Sequence, residues 1–443
     1  MKNQIQIDKA IESFKKEISV PSDKSISIRC ILLSSIALGK SKLFNLLESS
    51  DVINAINAMK AIGVKCVKKK NFLEVSGLGI NGFKFKNNTI IDAGNSGTLA
   101  RCILGLCSGV ENEIKLVGDS SLSKRDFYRV IKPLNLFGVK IKSRKGMLPI
   151  NFVGTNFLRP IQYIENKGSA QIKTCIILSA LNTYGTSKIM AIRSRDHTEL
   201  MLKSLNYPIK IKKNKKFDII SLKGVNQFKA FEYSVPGDIS SASFFIVLTL
   251  LSKNSELIIK NINLNPSRIG IITILNRMNA KIEIKNKKKY KGEYIGDIKV
   301  KSIEKFKSIK CPESLNSSAI DEFILIFLIA AKSKGVSSFK NLSELNKKES
   351  PRLDIAIKFL KMIGIKVERK KDNIKIYGNP NLKLNGNFKI SNFLKDHRVF
   401  MMACIAALAL LQDGKIVIED RDSIKTSFPN FLKTIKSLGA KIH

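Results

Sequence analysis

The segment AMKAIGVKCVKKKNFLEV (58–75) reads as the end of an amphipathic helix, a glycine, a strand, a lysine-rich turn and a returning strand. The same order recurs in PLNLFGVKIKSRKGMLPINF (133–152), LKSLNYPIKIKKNKKFDIISL (202–222), NRMNAKIEIKNKKKYKGEYI (276–295) and IKFLKMIGIKVERKKDNIKIY (357–377). A sixth copy, IKSLGAKIH (435–443), is shorter. Gly63, Gly138, Gly364 and Gly439 stand where helix gives way to strand, a place that asks for positive φ. Asn279 takes that place in the fourth copy, and the third ends irregularly at Asn206–Pro208. The lysine runs 68–70, 210–216 and 287–291 fall at the turns of this repeated hairpin and read as solvated tips.

Working outward, each copy is preceded by another helix with a polar start: DKSISIR (23–29), GNSGTLAR (94–101), GSAQIKT (168–174), GDISSAS (237–243), SSAIDEF (317–323) and KDHRVF (395–400). Between the two helices lies a strand, such as KLFNL or EIKLVG. The unit is βαβαββ, roughly 70–80 residues long, and six of them fill the chain. In parallel β–α connections the helix N-termini gather at one end of the sheet. Each carries partial positive charge and unpaired N–H groups, so the assembly favours anions. Caps and turns account for the Gly, Ser and Asp at these starts. They do not account for the Arg, Lys and Gln placed a step or two further in.

The 443 residues carry 77 Lys+Arg against 36 Asp+Glu, a formal charge of +41. Such charge raises nucleic-acid binding as a first reading. A hydrophobic fraction of 44% excludes disorder throughout. RNA readers interleave aromatics with their cations, and here there is no Trp. Only 14 of the cations are Arg, which makes each Arg a candidate for planar, bidentate gripping of carboxylate or phosphate. The seven Cys show neither a CxxC pair nor zinc spacing, and three His argue against a His-ligated metal site, so no metal is expected. An odd number of Cys without a framework reads as buried thiols in a reducing compartment. The apolar run Val399–Leu411 is too short to cross a bilayer, and the first residues lack a signal-peptide core. A cytoplasmic protein with no membrane partner is expected.

Taken in order from Val20 to Pro429, PSDKSISIR, GNSGT, GDSSLSKR, GSAQ, SRDHTE, SSAIDEF, KKESPRL, KDHR and TSFP make the chain resemble the 5-enolpyruvylshikimate-3-phosphate synthases. That resemblance implies an α/β fold, a two-domain inside-out α/β barrel with three repeats per domain. The domains would be 21–235, and 1–20 with 236–443, crossing near Val20 and Pro236. The first strand (4–18) would belong to the C-terminal half, and the active site would lie in the interdomain cleft. The reaction implied is transfer of the enolpyruvyl group of phosphoenolpyruvate to the 5-hydroxyl of shikimate 3-phosphate. It runs by addition and elimination, with no cofactor, in a monomer whose partners are these two small molecules.

By the same resemblance Lys24, Ser25, Arg29, Ser169, Ala170, Gln171, Arg195, Asp321 and Lys348 bind shikimate 3-phosphate. Lys24, Gly97, Arg125, Gln171, Arg352 and Arg398 bind phosphoenolpyruvate. Lys24, Asp321 and Glu349 are the catalytic set, with Asp321 placed to take the 5-hydroxyl proton and Glu349 to exchange protons at the methylene carbon. Seven of the 14 Arg lie in or beside the matched motifs: 29, 101 (following GNSGT), 125, 195, 352, 398 and, less specifically, 421. There are departures. Ser22 and Ile28 stand where Gly and a polar residue are usual; Asp126 replaces Pro beside Arg125. Pro351 replaces an Asp that would orient Arg352, and Thr426 stands where some members have Lys, with Lys425 next to it as a substitute. Three alternatives follow: the sister transferase acting on UDP-N-acetylglucosamine, which KSxSxR and KDHR disfavour; a basic RNA-processing protein on a related scaffold; and a catalytically impaired relative.

Overall fold

The computed structural model describes residues 3–214, 217–391 and 396–443. Lys215 and Lys216 of the third hairpin, and Lys395 before His397, lie outside the described residues. The chain separates into two compact units. The first is Ser22–Val235 with Tyr290–Glu293; the second is Met1–Pro21, Pro236–Lys289 and Tyr294–His443. Each has its own apolar core.

In the first unit the core is three helices with almost no polar face: Lys24–Ser35, Gly97–Leu106 and Ala170–Leu181. A helix apolar all round must be buried on all sides, and nearly every residue of these three is. Gly97–Leu106 packs on both of the others. At Gly105 a Cβ would come within 2.2 Å of the Cys175 carbonyl oxygen, so only Gly lets those two backbones approach. Outside them lie amphipathic helices such as Ser50–Ala61 and Tyr128–Phe137. Three four-stranded sheets share one plan. A central strand (Leu38–Phe44, Glu113–Val117 or Thr186–Ile192) pairs in parallel on one side and with an antiparallel hairpin on the other. The parallel partner of Leu38–Phe44 is Glu232–Ser234, from the far end of the unit's sequence.

The second unit follows the same plan around Ile239–Leu251, Phe323–Lys332 and His397–Leu410, which pack on one another. Its strands Glu256–Asn263 and Ile416–Glu419 again pair in parallel on one side and antiparallel on the other. For Gly335–Phe339 the parallel neighbour shrinks to the single bridge Lys310↔Ser338. The expected first strand over 4–18 is two strands in two sheets. Gln4–Ile7 pairs with Ile416–Glu419, and Lys15–Ile18 pairs with Glu256–Asn263. Residues 8–14 between them carry no strand. Gln4–Ile7 also exchanges backbone hydrogen bonds with His443, at 2.8 and 3.0 Å. The short sixth copy thus gains from the N-terminus the strand it lacks.

The helix ends behave as their residues dictate. Gly63, Gly138, Gly364 and Gly439 have φ of 90, 102, 83 and 108°, and Asn279 has 75°. Asn206 has φ 57°, so the third copy ends in the same left-handed conformation rather than irregularly. The fourth hairpin departs from expectation: its strand runs Lys281–Tyr290, so Lys287–Lys289 lie on the strand and the turn falls at Lys291–Gly292. All seven Cys are free and buried. Among the described residues no helix is long and apolar enough to cross a membrane.

Candidate active site

The polar starts of the buried helices are where the chemistry collects. Five of the six starts are closed by a side-chain cap: Asp23, Ser96, Ser169, Asp238 and Asp396 each accept from a backbone N–H one turn in. Ser169, expected as a ligand, therefore also caps its own helix, its hydroxyl accepting from Ile172 N–H at 3.4 Å.

In the first unit Lys24 opens its helix and pairs with Asp51 at 2.9 Å. Arg29, 3% exposed, donates from Nε to the Thr198 hydroxyl at 2.8 Å, from Nη2 to Thr174 at 2.9 Å and from Nη1 to the Ser25 carbonyl at 3.0 Å. Burial lowers its pKa. Arg195 is partly exposed and close enough to Arg29 to add to that lowering. Arg101 donates to the Gln171 amide oxygen at 2.8 Å and to the Asp126 carbonyl at 3.1 Å, with its guanidinium 4.9 Å from the Phe127 ring centre. Burial, then Arg125 and Arg129, push it down to about 10. Gln171 in turn donates to Thr98 at 3.1 Å. Arg125 donates to Asn95 at 2.7 Å, and its Nε is buried without a hydrogen-bond partner among the described residues. A Cβ on Gly97 would stand 2.8 Å from Arg101 Nη1 and 3.1 Å from Arg125 Nη1. Glycine there keeps one face of both guanidiniums clear. Ala170 follows the cap as the first helical residue.

Asp126 does not oppose Arg125. Its carboxylate accepts from Tyr128 N–H at 2.7 Å and faces Arg129 at 3.5 Å, so it serves the start of the next helix. Two further buried pairs were not singled out by the motifs. Lys173 meets Glu199 at 2.7 Å, and His197 Nδ1 meets Glu293 at 2.6 Å. Thr198 and Glu199 sit inside the SRDHTE motif, from which only Arg195 had been assigned a role.

In the second unit the arginines are held differently. Arg352, 1% exposed, donates from Nε to Asp396 at 2.8 Å, from Nη1 to Asp321 at 3.2 Å and from Nη2 to Glu349. Burial works to lower its pKa, but Asp396, Glu349 and Asp321 together hold it above its ordinary value. Burial likewise works to raise Asp396, and Arg352 outweighs it, leaving that carboxyl lowered. Asp396 also accepts from the Ser350 hydroxyl at 2.7 Å and from Arg398 N–H at 3.0 Å. This corrects the expectation that Pro351 deprives Arg352 of an orienting group: Asp396, in the KDHR motif, supplies it. Lys348 stands 3.3 Å from Asp321. Arg398 lies 3.9 Å from the Asp321 carboxylate and 3.7 Å from Glu322, which accepts from Ser240. Burial and Asp321 raise the Glu322 carboxyl. Thr426 bonds His397 at 3.1 Å, while Lys425 pairs with Asp422 at 2.8 Å on the surface.

The two units thus present clusters suited to anions: Lys24, Arg29, Gln171, Arg125 and Arg195 in one, and Asp321, Lys348, Glu349, Arg352 and Arg398 in the other. The second cluster also holds two carboxylates, Asp321 and Glu349, paired with Arg352. Guanidiniums and carboxylates gathered at helix starts fit an α/β enzyme that handles anionic substrates. The family model for EPSP synthase (3-phosphoshikimate 1-carboxyvinyltransferase) matches residues 9–435, and the chain belongs to that family. It is 39% identical over 431 residues to the 3-phosphoshikimate 1-carboxyvinyltransferase of Ruthia magnifica, covering 96% of each chain. The Zymomonas mobilis enzyme of that name is 36% identical over 430 residues, 96% of this chain and 94% of the other. The EPSP synthase structure from Acinetobacter baumannii superposes with a TM-score of 0.86 at 32% identity, covering 99% of each chain. These relatives do not favour the nucleic-acid alternative.

Proposed function

We propose that the chain transfers the enolpyruvyl group of phosphoenolpyruvate to the 5-hydroxyl of shikimate 3-phosphate. C3 of phosphoenolpyruvate takes up a proton while the hydroxyl oxygen, losing its own, bonds to C2. Phosphate then leaves C2 and a proton leaves C3, restoring the double bond. Lys24, Ser25, Arg29, Ser169, Ala170, Gln171 and Arg195 hold shikimate 3-phosphate, with Lys348 and Asp321. Gly97, Arg125, Arg352 and Arg398 hold phosphoenolpyruvate, with Lys24 and Gln171. Asp321 receives the hydroxyl proton and Glu349 serves C3. The observation that carries this reading is the contact of Arg352 with both Asp321 and Glu349, which sets an anion grip between two proton-transfer groups. Pre-aimed charges of this kind stabilise charge developing in a transition state. The recurring sheets and buried helices support an inside-out α/β barrel of three βαβαββ repeats in each unit.

The test is phosphate release from phosphoenolpyruvate, which should depend strictly on added shikimate 3-phosphate. Purified protein that forms no enolpyruvyl product with both substrates present would sink the proposal.

A further inference from the structure

The structure assigns a role to two threonines that no motif singled out: we propose that Thr174 and Thr198 are the positioning residues of Arg29. This rests on the reading that Arg29 grips shikimate 3-phosphate. Arg29 presents the edge formed by Nε and Nη2 to two hydroxyl oxygens at 2.8 and 2.9 Å, and these oxygens lie 2.8 Å from each other. That is the edge of a guanidinium which elsewhere grips the two oxygens of a carboxylate. Here the hydroxyl pair copies the spacing of two acceptors without the charge. Both threonines are 1% exposed, so bulk solvent does not compete for these bonds. Thr174 comes from Ala170–Leu181, Thr198 from His197–Ser204 and Arg29 from Lys24–Ser35, so the orientation of one guanidinium is fixed from two other helices.

The chemical sense lies in what neutrality leaves over. A carboxylate in this place would orient Arg29 equally well but cancel its charge. Hydroxyls orient it and leave the cation for a ligand. Of its five N–H groups, three are used by Thr198, Thr174 and the Ser25 carbonyl, leaving one on each terminal nitrogen. Two donors on a fixed, uncancelled cation are what a phosphate or a hydroxyl-rich acid requires.

The experiment compares Thr174→Val and Thr198→Val, which keep the shape and remove the hydroxyl, with Thr174→Ser and Thr198→Ser, which keep the hydroxyl. Each valine variant should raise KM for shikimate 3-phosphate about tenfold, as expected for loss of a bond to a charged donor. The change should fall on KM for that substrate rather than on kcat or on KM for phosphoenolpyruvate, and the serine variants should recover most of it. Folded valine variants with unchanged KM overturn the inference, as do serine variants as impaired as valine. Each position is tested by its own pair of variants, so if one valine variant does not fold the other still decides. Arg29→Lys separates the levels. If it leaves KM unchanged, the reading of Arg29 falls and the inference with it; if it raises KM while the valine variants do not, only the inference falls.

Discussion

Arg29 and Arg352 are both buried guanidiniums near the start of a helix, and they are held in opposite ways. Arg29 rests on two threonine hydroxyls and a carbonyl; Arg352 rests on three carboxylates. Arg101, with its amide and carbonyl acceptors, belongs with Arg29. The first arrangement aims a cation and leaves its charge available. The second balances the cation before any ligand arrives, so a bound anion has to compete with carboxylates already present. What it gains is acid–base chemistry, since two of those carboxylates, Asp321 and Glu349, are the proposed proton-transfer groups. On the proposed assignments the first unit supplies most of the grip on shikimate 3-phosphate, and both proton-transfer carboxylates belong to the second.

The sharpest way to break this comparison is Glu349→Gln. Loss of a positioned proton-transfer group should lower kcat by roughly 10²–10⁴-fold. Calorimetric binding of shikimate 3-phosphate should persist, because the residues proposed to dominate it are in the first unit. Loss of that binding would contradict the division of labour. Next is Asp396→Ala. Removing the main partner of a buried Arg352 should cost about 3–5 kcal/mol, read as a lower urea midpoint. The matching change in the first unit, Gln171→Leu, takes a neutral acceptor from Arg101 and should cost only about 1–3 kcal/mol. If Gln171→Leu destabilises as much as Asp396→Ala, the distinction between neutral and charged support has no energetic content.

The repeat was legible because its signals are local: a Gly or Asn at each helix end, then a strand and its return. The closing of the pattern came only with the resemblance, which put the first strand with the C-terminal half; nothing in IKSLGAKIH itself announces Gln4–Ile7 as its partner. The site shows the same divide. Arg29, Arg352 and Asp321 stand in motifs and could be read off them. Thr174, Thr198 and Asp396 hold those residues through contacts between separate helices, and a hydroxyl or an acid at a helix start looks alike whether it caps, orients or does both. Asp396 does both, capping through Arg398 N–H while gripping Arg352. The supposed gap at Pro351 arose from looking for the orienting group next to Arg352 in sequence.

The smallest effect is one of sign. Asp396 faces a guanidinium, and despite its burial its pKa is lowered from 3.8. A lowered carboxyl contributes stability above its unfolded pKa and loses it as pH falls through the folded one. Glu165 is also buried, but its partners are the backbone N–H groups of Lys167 and Ser169, at 2.9 and 3.2 Å, in the loop before Ala170–Leu181. Burial outweighs them and raises it from 4.5. A raised carboxyl contributes stability that is complete below the unfolded pKa and is lost as pH rises through the folded one. Glu322 shifts the same way as Glu165 although Arg398 lies 3.7 Å from it, because burial and Asp321 outweigh the guanidinium there, so the sign follows the local balance and not the unit. Urea unfolding of Asp396→Asn and Glu165→Gln against the parent, from about pH 3 to 8, should therefore give difference curves of opposite slope. The advantage of the parent over Asp396→Asn should shrink toward acid, and its advantage over Glu165→Gln should shrink as pH rises above 4.5. The amide introduced by Glu165→Gln accepts one of the two backbone bonds and not the other, a constant loss that shifts its curve without tilting it. Curves of equal slope would mean that burial alone sets both carboxyls and that the guanidinium of Arg352 does not outweigh it.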